Sequence, residues 1–222
     1  MNNANLKMKN AKCKILTFAI CTLQFAFLLS GCATWQLDGD ITRGRLELLY
    51  GDPKAALAHF QRAAELNPDY RLNFTLLTEG VWTYVGRAQY AAGRLPEARK
   101  ALESARSRHP DDDVAKLYLG LVLGQAGEQP RGRKEIESGL KGLVDWLDFI
   151  RFYHPWGHYW DPGDQIRAEA QRNLALIKAE GSWKDLAASV EWVGREIEIE
   201  IDRAADDRRQ DRERDSDGGN QP

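Results

Sequence analysis

The segment with the most side chains that could bind a ligand or a metal lies between residues 146 and 163, WLDFIRFYHPWGHYWDPG. It holds seven of the chain's 21 aromatic residues and two of its four histidines. His154 and His158 are four residues apart, an interval that brings two metal ligands onto one face of a helix. Pro155 and Gly157 interrupt that interval, however, and neither a cysteine nor an HExxH-type glutamate accompanies the pair. We therefore expect no metal site here.

Two other interpretations of this segment stay open. The Trp and Tyr side chains could pack over the end of the neighbouring helices, or they could line a pocket for a small ligand or peptide. The packing interpretation predicts that Trp156 and Trp160 are largely buried. The pocket interpretation would use five side chains, which are Trp146, His154, Trp156, His158 and Trp160.

The chain carries none of the sequence patterns that mark common catalytic sites. It has no GxSxG nucleophile elbow, no phosphate-binding loop and no dinucleotide fingerprint. Carboxylates are abundant, but many charged residues are expected on solvated helix faces. The sequence therefore predicts a protein that is not an enzyme and needs no cofactor.

The last cysteine of the chain, Cys32, directly follows an apolar run. Residues 1–14 carry four lysines and no acid, and residues 15–29 are almost entirely apolar. A basic segment, a short apolar segment and then small residues are typical of a secretory signal peptide, and the run is shorter than the ~20 residues that span a bilayer. The end of the run, LSGC at residues 29–32, resembles the lipobox of bacterial lipoproteins, in which the cysteine is acylated and becomes the new N-terminus.

That resemblance has consequences for localisation and charge. It implies that residues 1–31 are removed and that a short linker, residues 32–36, begins with lipid on Cys32. The other two cysteines lie in the removed part, so the mature chain has neither a free thiol nor a disulfide, which suits an oxidising compartment. Ala33 follows the cysteine, and by resemblance to lipoprotein sorting rules this implies the outer membrane and a periplasm-facing protein. Without the four lysines, 27 basic residues stand against 33 acidic ones, a balance that argues against nucleic-acid binding.

The rest of the sequence contains an internal repeat. GDPKAALAHFQRAAELNPDY (residues 51–70) and GRLPEARKALESARSRHPDD (residues 93–112) match at one Gly, two Ala and one Pro. The pattern resembles the tetratricopeptide repeat, in which each unit of about 34 residues forms two antiparallel helices. The units are predicted at residues 37–70, 79–112 and 113–140, and the last helix is expected to continue to about residue 150.

The predicted fold class is therefore all-α, a tetratricopeptide-type superhelix of helical hairpins with C-terminal capping helices. Residues 71–78 are predicted to lengthen the first helix of the second unit. Residues 151–162 are expected to form an aromatic loop, and residues 163–205 a capping helical hairpin that closes the end of the core. Residues 206–222 carry mixed charge and no apolar side chain, so this tail is predicted to be disordered.

The resemblance also implies a binding surface. In this family the first helix of each unit lines a concave groove, and the corresponding positions in this chain are Arg45, Leu48, Arg87, Tyr90 and Leu121. Guanidinium groups pair bidentately with carboxylates, so such a groove suits an acidic or C-terminal peptide segment of a partner. The favoured function is an adaptor that holds another cell-envelope protein. The alternative is a transporter-associated module that binds a small ligand or solute through residues 146–163.

The lipobox generates the first testable prediction. Replacing Cys32 by Ala removes the only sulfur that could carry lipid in the mature chain, so Cys32→Ala should abolish recovery of the protein with the membrane fraction. Intact-mass measurement of the native protein should show acyl chains on an N-terminal cysteine. An unmodified cysteine in that measurement would contradict the prediction.

Overall fold

The computed structural model describes residues 35–218, and the predicted signal peptide and Cys32 lie outside this range. Within it the elements in chain order are α1 at residues 35–50, α2 (Pro53–Leu66), β1 (Arg71–Phe74), β2 (Leu77–Gly80), α3 (Val81–Ala91), α4 (Leu95–Arg108), α5 (Asp113–Gln125), α6 (Gln129–Tyr153), a 3-10 turn (Gly157–Tyr159), α7 (Gln165–Lys178) and α8 (Trp183–Gly218). The fold is all-α apart from one small antiparallel hairpin, in agreement with the predicted class. Among these helices, none combines the length and the apolar character needed to cross a membrane.

Three helical hairpins share one packing contact. In each, a glycine on the first helix faces a large apolar residue that lies 16 positions later on the second helix; these pairs are Gly44 with Phe60, Gly86 with Leu102 and Gly120 with Ile136. A Cβ atom added to any of the three glycines would lie 2.4–2.6 Å from the partner side chain. The two helices can approach so closely only because the first carries no side chain at this point. The constant spacing identifies α1–α2, α3–α4 and α5–α6 as equivalent units.

Aspartate side chains cap the N-termini of α2 and α5. Asp52 accepts a hydrogen bond of 2.9 Å from the amide of Lys54, as expected for an N-cap before Pro53. Asp112 caps α5 through the amide of Ala115 at 2.9 Å and also accepts from the amide of Gly80 at 2.8 Å. Through these two hydrogen bonds Asp112 connects the start of α3 to the start of α5, and its side chain is fully buried.

The segment between the first two units differs from the prediction. Residues 71–80 form the β1–β2 hairpin, with Phe74 paired to Leu77, instead of an early start of α3. The two turn residues, Thr75 and Leu76, have φ values of 50° and 70°. Two-residue turns with positive φ values normally carry Asn-Gly, so the Thr-Leu sequence does not indicate a hairpin turn. Helix α6 stabilises the hairpin, because the indole of Trp146 donates to the carbonyl of Thr75 at 3.0 Å.

The C-terminal helices also depart from the prediction. Helix α7 packs against α6, but α8 leaves the end of the superhelix and runs along the inner side of α5, α3 and α1. Its buried apolar stripe consists of Leu186, Val190, Val193, Ile197 and Ile201. The pair is therefore more than a cap at the end of the superhelix, because α8 occupies the concave face.

The tail predicted to be disordered continues α8 to Gly218. Ion pairs of opposite sign at i,i+3 and i,i+4 follow one another along it, for example Arg203 with Asp207 and Arg214 with Asp211. Such pairs stabilise a helix that has no apolar face. The hydroxyl of Tyr159 also donates to the carboxylate of Asp211 at 2.7 Å, which ties this part of α8 to the aromatic loop.

The close approach at Gly120 generates the second prediction. A Cβ at this position would lie 2.6 Å from the backbone oxygen of Gly132, which cannot rotate away. Gly120→Ala should therefore lower the free energy of unfolding by about 1–3 kcal/mol, the usual cost of overpacking, although Ala favours helices. The measurement is urea unfolding followed by circular dichroism.

Gly39→Ala is the matched control. It makes the same change within α1, where a Cβ would meet no atom within 4 Å. The higher helix propensity of Ala should leave this variant as stable as the parent or about 0.5–1 kcal/mol more stable. Equal stability of the two variants would show that the α5–α6 contact is not constrained by its backbone.

Candidate partner-binding cleft

A buried ionic cluster joins α8 to the first helices of two units. The guanidinium of Arg87 donates to the carboxylates of Glu198 at 2.6 Å and of Glu79 at 2.9 Å. Its second nitrogen donates to the carbonyl of Gly194 at 3.3 Å. Arg45, one unit earlier, also pairs with Glu198. We call these four side chains, Arg45, Glu79, Arg87 and Glu198, the ionic cluster.

The two carboxylates of the ionic cluster have different electrostatic surroundings. Burial raises the pKa of Glu79 to about 8, against the attraction of Arg87. Burial acts in the same direction on Glu198, but the nearby charges of Arg87 and Arg45 outweigh it and hold the pKa of Glu198 below its ordinary value. The two arginines therefore favour the charged form of Glu198, whereas burial favours the neutral form of Glu79.

Aromatic rings complete the surroundings of Arg87. The guanidinium carbon lies 5.1 Å from the ring centres of both Tyr84 and Tyr118. A cation between two ring faces gains electrostatic attraction where little water can reach it. Gly194 allows this arrangement, since a Cβ there would lie 2.7 Å from the hydroxyl of Tyr118.

The predicted partner groove is therefore largely closed. Arg87 is only 2% exposed and Leu121 is fully buried, so neither can contact a partner while α8 is in place. Arg45 is committed to Glu198 and to Asp202, the latter at 2.9 Å. The groove is closed because α8 places its own carboxylates on the two arginines. The arginines were expected to bind carboxylates of a partner instead.

One part of the groove stays open, at the end where α1, α3 and α5 finish. We call it the cleft; its volume is about 470 Å³, within the range of ligand and peptide pockets. Three of the predicted groove residues line it: Leu48 and Tyr90, which are partly exposed, and Arg87, of which only 2% is exposed. Other side chains that line the cleft are Leu49, Leu95, Tyr118, Gln125, Glu191 and Arg195.

The polar side of the cleft has one cation without a partner. The hydroxyl of Tyr90 donates to Glu191 and accepts from the amide of Gln125 at 2.6 Å. Burial and the neighbouring Glu191 carboxylate raise the pKa of Tyr90 above its usual range, so this tyrosine stays protonated. Arg195 is exposed and, among the residues described in the structure, forms no ion pair. The cleft thus combines leucine walls with a free guanidinium.

Sequence reasoning missed several of these residues. Glu198 lies in a segment rich in charged residues, which favours a solvated position, yet it is fully buried. Glu79 was read only as the start of a repeat unit. Gln125, Glu191 and Arg195 gave no local signal, because their proximity to Tyr90 follows from the path of α8. The complementarity between acidic α8 and the two groove arginines was the one available clue.

The aromatic segment is partly packed, as one interpretation predicted. Trp160 is 7% exposed and its ring meets that of Trp146 edge to face at 4.9 Å. The expectation for Trp156 was wrong, because 45% of this residue is exposed. It lies on a short loop, where Arg208 of α8 lies over its ring at 4.8 Å and the ring of His154 is 5.5 Å away.

The histidines of this segment do not converge on a site. His154 accepts a hydrogen bond of 3.3 Å from the amide of Trp156, and the ring of His158 lies against that of Tyr159 at 4.0 Å. Across residues 35–218, no group of three metal-ligating side chains comes together. The pocket beside Trp156 and Trp160 measures about 130 Å³, which is small for a ligand site.

Comparison with known families agrees with this architecture. Residues 47–121 match the family model of the tetratricopeptide repeat, and the matched region runs from the end of α1 into α5. This supports a tetratricopeptide-repeat protein, a class that typically serves as a scaffold for protein–protein interaction. A search of curated proteins returned no match. The α5–α6 unit and α8 lie largely beyond the matched region, and the glycine spacing described above extends the repeat to α6.

The ionic cluster generates the third prediction. Arg87→Met keeps much of the side-chain volume but leaves the Glu198 carboxylate buried beside one cation instead of two. Breaking a buried pair in this way should lower the free energy of unfolding by about 3–5 kcal/mol. The measurement is denaturant unfolding monitored by circular dichroism.

Lys141→Ala serves as the control for loss of an ion pair. Lys141 pairs with Glu137 on the surface of α6, and its side chain is 60% exposed. Surface pairs of this kind contribute about 0.3–0.5 kcal/mol, so this variant should unfold almost like the parent. Similar losses in both variants would contradict a structural role for the ionic cluster.

Proposed function

We propose that the protein is a lipid-anchored adaptor of the bacterial outer membrane that holds a segment of another cell-envelope protein in the cleft. The observation that carries this proposal is the open cleft itself. It lies on the face where repeat proteins of this class bind partners, whereas α8 fills the rest of that face. A scaffold with one open position on its inner side is suited to a short segment rather than to a long extended chain.

The lining of the cleft indicates the chemistry of that segment. Leu48, Leu49 and Leu95 offer apolar contact. Arg195 offers a guanidinium that no carboxylate of the described chain neutralises. A segment that carries an apolar side chain next to a carboxylate would match both features, because a charge-assisted hydrogen bond adds direction to apolar burial. An acidic side chain or a free C-terminus would supply that carboxylate.

The proposed anchor rests on the sequence before the described range. The basic and apolar segments and the LSGC pattern at residues 29–32 support acylation of Cys32. Several acyl chains give stable attachment where a single chain would not. The neighbouring Ala33 supports the outer membrane, with the folded part in the periplasm.

The fourth prediction tests binding in the cleft. Because Arg195 is exposed and unpaired, Arg195→Glu should leave the fold unchanged but place a negative charge against the partner's carboxylate. Crosslinking in native envelopes, followed by mass spectrometry of the attached proteins, should show loss of the partner. Reversal of Arg45 and Arg87 is unsuitable for this purpose, since both belong to the ionic cluster.

Arg212→Glu is the matched control for this experiment. It makes the same charge change on the same helix, at an exposed position far from the cleft. This variant should retain the parental crosslinks, and both variants should give the parental circular dichroism spectrum. Retention of every crosslink in Arg195→Glu would refute binding in the cleft.

A further inference from the structure

Exposed apolar side chains gather at one end of the molecule, which we call the lower end; it is the end at which α1, α3 and α5 begin. Among the described residues, nine large apolar side chains are exposed, and seven of them lie here. These seven are Trp35 at the start of α1, Leu66 at the end of α2, Leu76 in the hairpin turn, Phe149, Phe152 and Tyr153 on α6, and Trp156. The other two, Leu46 and Tyr50, lie in the second half of α1.

Helix α6 brings its aromatic residues beyond the starts of α1, α3 and α5, at the end towards which the charged last turns of α8 also run. A Cβ on Gly142 would lie 2.2 Å from the side chain of Asp113, so residue 142 is level with the start of α5. Eleven further residues follow to the end of α6 at Tyr153, which corresponds to about 16 Å of helix. Phe152 and Tyr153 are each 76% exposed on this projecting part. No described element covers their outer face.

The start of α1 lies at the same end. The hydroxyl of Tyr70 donates to Asp38 at 2.7 Å, and the carbonyl of Tyr70 accepts from the amide of Val81 at 2.9 Å. The first turns of α1 and α3 are therefore level with each other and with the base of the hairpin. Cys32 is separated from Trp35 by three Cα-to-Cα steps, which span at most about 11 Å. Acyl chains on Cys32 would hold the lower end against the membrane surface.

Because the exposed aromatic residues and the start of α1 lie at the same end, we propose that the lower end rests on the lipid bilayer. Phe152, Tyr153 and Trp156, which we call the aromatic patch, would then enter its interface. The inference rests on the proposed acylation of Cys32. Amphipathic aromatic side chains favour the headgroup level of a membrane, and Arg208, which lies over the ring of Trp156, would meet lipid phosphates there. The acyl chains supply attachment, and the aromatic patch fixes the orientation of the molecule on the surface.

The mature sequence permits a direct test, because it has no cysteine after Cys32. A single new cysteine can therefore carry a fluorescent label, at Phe152→Cys in the patch or at Leu46→Cys as the control. Leu46 is also exposed, at 50%, but lies away from the lower end. The acylated full chain, purified from membranes, is reconstituted into vesicles of phosphatidylethanolamine and phosphatidylglycerol. Lipids with brominated acyl chains then quench any label that enters the bilayer.

We expect loss of emission from the label at position 152 and none from the label at position 46. Replacing Phe149, Tyr153 and Trp156 by Ser in the Phe152→Cys chain should abolish the quenching, which excludes insertion by the label alone. Intact mass separately reports acylation of Cys32. Acylated protein without quenching at position 152 would overturn the patch proposal while the anchor stands, and an unacylated Cys32 would overturn both. Solvent protection of position 152 in native envelopes, but not in vesicles, would identify a protein on the patch and likewise refute lipid contact.

Discussion

The path of α8 depends on the pairing of Glu198 with Arg45 and Arg87. A buried carboxylate has lost its water and is tolerated only where cations and hydrogen bonds replace it. Two arginines on successive units provide that replacement at one place along the concave face. A shift of α8 by one turn would separate Glu198 from both arginines, and Arg87 would keep Glu79 as its only carboxylate partner in the ionic cluster. The apolar stripe of α8 contributes most of the burial, whereas the ionic cluster determines the register in which the helix docks.

This register also determines which surface remains for function. With Glu198 beside Arg87, Glu191 reaches the hydroxyl of Tyr90 and Arg195 lies at the rim of the cleft. The helix thereby blocks the middle of the groove and supplies part of the wall of its open end. The proposed binding surface is thus shared between the repeat helices and a helix outside the repeat. A family comparison limited to residues 47–121 describes only the first of these two contributions.

The signals of the repeat units are local, so they can be recognised in the sequence. The glycine and alanine positions mark helix contacts within about 16 residues, and Asp52 caps the helix that follows it. The hairpin at residues 71–80 escaped because its turn residues, Thr75 and Leu76, are not those that such turns prefer, and the contact with Trp146 lies 71 residues away. Arg45 and Arg87 do pair with carboxylates, but these carboxylates belong to α8. The sequence alone does not distinguish an acidic helix of the same chain from an acidic segment of a partner.

The two ends of the molecule differ in a way that links anchoring to binding. The cleft is lined by the last turns of α1 and α3, and the aromatic patch lies at the opposite end of these helices. Helix α1 covers 16 described residues, which corresponds to about 24 Å. If the lower end lies on the bilayer, the superhelix acts as a rigid spacer whose height is the length of α1 together with the roughly 16 Å by which α6 projects beyond the start of α5. Because α1 begins at residue 35, only a few residues separate it from Cys32. They would allow little variation in that height, and a partner segment would need to reach the same level above the membrane.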